Sequence, residues 1–131
     1  MKPIRELIPW FVEEQASCRK HGSGHVPPAL RNVFDGAEED EDKAAYLSTL
    51  ITILQNYDAL ERTGTAGDIT LSVLKDLADF LAAEKDKHNE NAYKYAVIRD
   101  KFDIASKECD ARTFYQDAEI YVLRLYYIAK G

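Results

Sequence analysis

Three residues near the N-terminus have the types and spacing of a metal site. Cys18, His21 and His25 read C-x2-H-x3-H, and a thiolate with two neutral imidazoles is a good ligand set for zinc. Cys109 or His88 is available as a fourth ligand. A structural zinc site, however, usually has two close pairs, and the second pair is missing here. Cys18 also fits the apolar face of a helix, since free cysteine is often buried, and His21 and His25 fit a solvated loop. The sequence therefore predicts no bound metal and no cofactor, and it keeps Cys18, His21 and His25 as the alternative.

The intervening His21-Gly22-Ser23-Gly24-His25 could nest an anion on consecutive amides or expose a nucleophilic serine. Its glycine spacing matches neither the P-loop nor the dinucleotide fingerprint. It is not a G-x-S-x-G elbow, which sits between a strand and a helix. A connector is the simpler reading.

Carboxylates are the next chemical group. Asp35 to Asp42 hold six of them within eight residues. Paired carboxylates can do acid–base work or bind a hard divalent cation, but this run lacks the alternating ligands and central glycine of an EF-hand loop. No Glu-x-x-His pair falls on a predicted helix, which disfavours a di-iron bundle. No catalytic group is predicted.

The run stands out because the rest of the chain is near balance. Residues 1–34 carry five basic and three acidic side chains, residues 35–62 sum to −6, residues 63–90 to −3 and residues 91–131 to +1, for a total of −6. Such local charge suits a basic patch on another protein, with faster association and salt sensitivity as its signature. A pI near 5.1 speaks against direct nucleic-acid binding, which needs clustered Lys and Arg, and against an anionic membrane. It leaves open a protein that mimics nucleic acid and occupies another protein's binding site.

Six of the eight tyrosines lie between Tyr93 and Tyr127. A helix points about half of its surface inward, and the last apolar segment has more apolar surface than that. The excess suits a partner, because tyrosine and tryptophan combine large area with a polar tip. Tyr115, Tyr126, Tyr127 and Trp10 are the predicted aromatic contacts. Asp35, Glu38 and Glu39 are the predicted acidic ones, because Asp40 to Asp42 have a structural use as helix caps. The C-terminal helix also offers a route to homo-oligomers.

The elements that must position these residues read as helical nearly throughout. Ile4, Leu7, Ile8, Phe11 and Val12 follow one helix face, with Pro9 inside the pattern as a kink or a first-turn residue. This helix is expected to end near Lys20. Pro28 can open a short helix over residues 29–34. A central helix is predicted over 41–62 and stops at Thr63-Gly64-Thr65-Ala66-Gly67. A fourth runs through Leu71–Leu81 and turns polar from Glu84 to Asn91. A fifth carries Tyr95, Ile98, Phe102, Ala105 and Cys109, and a sixth Phe114 to Ile128. Strands at 69–74 and 120–128 are the minority reading, favoured by β-formers.

At 131 residues the chain fits one domain. Its 46% apolar and 31% charged composition is that of a globular protein. Two cysteines make no disulfide framework. No apolar stretch approaches the ~18 residues of a membrane span, and the N-terminus lacks a signal segment, so a cytoplasmic location is expected. The prediction is an all-α, single-domain compact bundle of five to six helices over 1–131. Its expected role is a non-enzymatic protein–protein interaction module: an adaptor, subunit, inhibitor or immunity-type protein.

Overall fold

The computed structural model describes residues 1–22, 37–63 and 71–131, with the side chains of residues 19–22 and 37–41 outside the description. Among the described residues the chain is all-α, with five helices in the order α1 (Ile4–Gly22), α2 (Ala37–Gln55), α3 (Tyr57–Thr63), α4 (Leu71–Ala96) and α5 (Phe102–Lys130). Residues 71–74 and 120–128 are helical, so the strand reading falls there. The expected helix over 29–34 lies outside the described residues. No helix among those described is long and apolar enough to cross a membrane.

The chain divides into two compact units, one of Pro3–Asn56 and one of Met1–Lys2 with Tyr57–Gly131. In the first, α1 packs on α2. Leu7, Phe11 and Cys18 are buried on α1, and Ala44, Leu47, Leu50 and Leu54 on α2, each set spaced by about one or two turns. Pro9 stays inside a continuous α1. The Gln15 side-chain amide donates to the carbonyl of Ala44 at 3.0 Å, and Lys43 pairs with Glu14 at 3.7 Å.

Three boundaries differ from expectation. Helix α2 begins at Ala37 rather than near residue 41, so Asp40 and Asp42 lie within its first turns and not at its cap. Carboxylates there still suit the positive end of the helix dipole. The predicted central helix is two helices, with Asn56 between them. The Asn56 side-chain amide donates to the Thr52 carbonyl at 2.8 Å, and its backbone N–H is shared between Thr52 and Ile53. Asparagine competes with the helix ladder in this way.

The third difference is the largest. Predicted helices five and six are one 29-residue helix, and α4 runs unbroken through its polar stretch to Ala96. The reversal instead occupies residues 97–101. It is closed by Ile98 N–H to Tyr95 O at 3.2 Å and Lys101 N–H to Ile98 O at 3.1 Å. Adjacent β-branched Val97 and Ile98 weaken helix propensity there.

In this second unit α4 and α5 form a long antiparallel hairpin, about 39 and 43 Å at 1.5 Å per residue. On α4, Leu74, Leu77, Leu81, Glu84 and His88 alternate at steps of three and four. On α5, Glu108, Ala111, Tyr115, Ala118, Val122 and Leu125 do the same. That spacing keeps one seam facing the partner helix, and the apolar members of both series are buried.

The N-terminal residues also fasten to α5. Lys2 N–H donates to the buried carboxylate of Asp117 at 2.9 Å, the Tyr121 hydroxyl donates to Lys2 O at 3.0 Å, and the Lys2 ammonium lies 4.9 Å from the Phe114 ring centre. Tyr57 meets Tyr121 edge to face at 5.1 Å. Burial raises the Tyr57 phenol above its ordinary pKa, Glu61 adds to the rise and Arg124 opposes it.

Candidate functional site

Two features of the α4–α5 hairpin separate it from a plain helical pair. The first is a polar layer within the seam. His88 Nδ1 hydrogen-bonds the carboxylate of Glu108 across the helices. Nε2 on the other side of the ring faces Glu84 one turn back, at 3.6 Å, an ion-pair separation longer than a hydrogen bond. The imidazole stacks on Tyr115, with centroids 5.3 Å apart and planes 15° from parallel, and Phe80 meets the same tyrosine edge to face. Arg112 donates to the Asn89 side-chain oxygen at 2.9 Å, and Lys85 pairs with Glu119 at 3.3 Å. Each of these three cross-helix pairs joins complementary groups.

This layer does not resemble a reaction centre. Both ring nitrogens of His88 are turned toward the protein's own carboxylates, and Tyr115 covers one face. A general base needs a nitrogen within reach of a substrate proton. Glu84 and Glu108 lie on opposite sides of the ring and do not converge on one point. Among the described residues no group of three His, Cys, Asp or Glu is placed to hold a metal ion.

No protein-family model, curated protein or solved structure matches the chain. The geometry of the hairpin is therefore the basis for a functional reading.

The second feature is the hairpin tip. Here the buried positions hold alanine, at Ala92 and Ala105, while the large apolar residues point outward. Val97 is 85% exposed, Tyr93 70% and Phe102 60%, with Ile98 and Ile104 also exposed. A seam of alanines is too small to cover these side chains. Five large apolar residues within twelve positions, on α4, the reversal and the start of α5, are exposed at this one end of the hairpin, a local concentration rather than single residues spread over the surface.

The predicted contact residues separate. Tyr127 is 64% exposed and Tyr126, at partial exposure, meets it edge to face at 5.4 Å. Leu71, Val73 and Ile128 are exposed as well, so the open end of the hairpin also carries apolar surface. Trp10 is half-buried and sits edge-on to Phe11 at 5.0 Å.

Tyr115 requires correction. It has no exposed surface, because it occupies a seam position and fills the space between Phe80 and His88. It is a core residue and offers nothing to a partner. Asp35 and His25 lie outside the described residues. Glu38 and Glu39 fall in the first turn of α2 and His21 in the last turn of α1, with their side chains outside the description. Cys18 is a buried thiol.

Sequence reasoning missed the tip residues Val97, Ile98 and Phe102 by assigning the latter two to a helix core. The available signal was the pair of seam alanines beside large apolar neighbours. It also missed the layer of Glu84, His88 and Glu108, although their three-and-four spacing continues the leucine series.

Proposed function

We propose that this protein is a non-enzymatic interaction module that binds another protein through the tip of the α4–α5 hairpin. The observation that carries this reading is the reversal of ordinary packing at the tip, alanines inside and large apolar side chains outside. Water-exposed apolar surface of this kind is favourable to bury, at roughly 25 cal/mol per Å². Well-packed aromatic and aliphatic anchors of this type dominate binding energy where they meet a partner.

The polar layer supports the reading from a different side. A partly buried polar layer is a weak source of stability and can serve to set register. Fixing the register of α4 against α5 fixes which residues stand at the tip. The acidic segment Asp35–Asp42 adds a charged handle that suits a basic surface, and it increases association rate more than affinity.

The test is a double substitution, Val97→Ser with Phe102→Ser. Both positions are exposed, so thermal stability should stay within about 0.5 kcal/mol of the parent. Binding to proteins retained by the parent from source lysate should weaken by at least about thirtyfold, the equivalent of one hot-spot side chain at 2 kcal/mol. Retention unchanged by the double substitution contradicts the proposal, as does a parent protein that retains nothing.

A further inference from the structure

We infer that the occupant of the hairpin tip is an acidic amphipathic helix of a partner protein; this rests on the interaction reading above and adds the partner's chemistry. The first argument is charge. Between Tyr93 and Lys107 the exposed side chains of Lys94, Arg99, Lys101 and Lys107 outnumber Asp100 and Asp103, leaving +2. The other residues of this unit carry eight basic and twelve acidic side chains, or −4. The apolar patch therefore sits in a locally positive stretch of a unit whose other residues sum to −4. A surface of that sign is met best by negative charge.

The second argument is backbone chemistry. Both sides of the tip are helices, and no strand occurs among the described residues, so the tip offers no strand edge for an extended peptide. A partner segment that buries apolar side chains there must satisfy its own backbone, and a helix does so. Tyr93 stands in the last turn of α4, Val97 opens the reversal and Phe102 begins α5.

The same observations argue against two other occupants. A second copy docking tip to tip would place +2 against +2, and like charges across an interface are unfavourable. A membrane would have to accept Asp100 and Asp103 together with Val97 and Phe102, and carboxylates are costly at depth in a bilayer.

The probe is a phage-displayed library of random 16-residue peptides, selected on the full chain and counter-selected on the Val97→Ser, Phe102→Ser protein. Enriched peptides should carry a net negative charge and apolar residues at helical spacing. A synthetic enriched peptide should lose at least about tenfold in affinity when Lys94, Arg99, Lys101 and Lys107 are all changed to Glu, while the melting temperature of that variant stays within a few degrees of the parent. Enriched peptides that need Val97 and Phe102 but are neutral or basic overturn the acidic-helix inference and leave the interaction reading standing. Peptides indifferent to the double substitution overturn both. Failure to enrich any peptide, with binding instead to vesicles containing phosphatidylserine, also overturns both and assigns the tip to a lipid surface.

Discussion

Replacing Tyr115 with alanine is expected to lower the thermal unfolding midpoint by about 10–20 °C. The ring has no exposed surface and is packed by His88 on its face and Phe80 at its edge. Truncating a large buried aromatic side chain costs about 3–5 kcal/mol, from lost transfer energy and the cavity left behind. For a chain of this size each kcal/mol moves the midpoint by about 3–6 °C. Total stability of such a domain is about 5–15 kcal/mol, so this one change removes a large share of it. A melt followed by circular dichroism checks the value. A shift under about 2 °C would instead place Tyr115 at the surface, where the tyrosine-rich composition of the C-terminal third first suggests it.

The second large effect has the opposite sign. Changing Glu84, His88 and Glu108 together to leucine is expected to leave the hairpin as stable as the parent or to stabilise it by about 1–4 kcal/mol, as replacement of polar groups in a packed seam by apolar ones of similar volume often does. The three positions continue the seam series on α4 and α5, so leucine there extends the packing of Leu74, Leu77 and Leu81. Changing Glu108 alone to leucine should destabilise by about 1–3 kcal/mol, because His88 loses its partner across the helices and a largely covered polar group is left unsatisfied. Denaturant titration of the single and triple variants separates these outcomes. A triple variant less stable than the single one would show that the layer contributes net stability rather than register. If the layer serves register, the triple variant should also bind partners less well despite its greater stability, since a seam without polar pairs permits slippage.

The all-α class was legible because Leu74, Leu77 and Leu81, or Ile4, Leu7 and Phe11, keep helical spacing without alternation. The hairpin was not, for two physical reasons. Its reversal over 97–101 contains no glycine, proline or asparagine, and Asp100 between Arg99 and Lys101 reads as easily as a charged helix residue, so the turn signal is weak. Its seam contains charged residues at core positions, and a fully polar stretch from Glu84 to Asn91 reads as solvated until the partner helix is in view. Cross-helix pairing of His88 with Glu108 is a tertiary fact with no local signal. The same holds for Tyr115, whose composition fits an interface and a core equally well. Burial depends on which face of α5 meets α4.

The apolar tip has a simpler history. Ile98 and Phe102 look like core residues when one helix is drawn through them, because they fall four apart. Once the chain reverses at 97–101, the same spacing places them outside a seam of alanines. The position of one turn thus converts predicted core into exposed surface, and the functional reading follows from that conversion.

The measurement that bears most directly on the role of the tip is site-specific photocross-linking. A benzophenone amino acid placed at Val97, and separately at the exposed Asp58 of α3 as a control, is irradiated with the full chain in extract from the source cells. The tip reading predicts a discrete protein adduct from position 97 that is absent from position 58. Equal adducts from both positions, or adducts from position 97 that contain lipid and no protein, would contradict it.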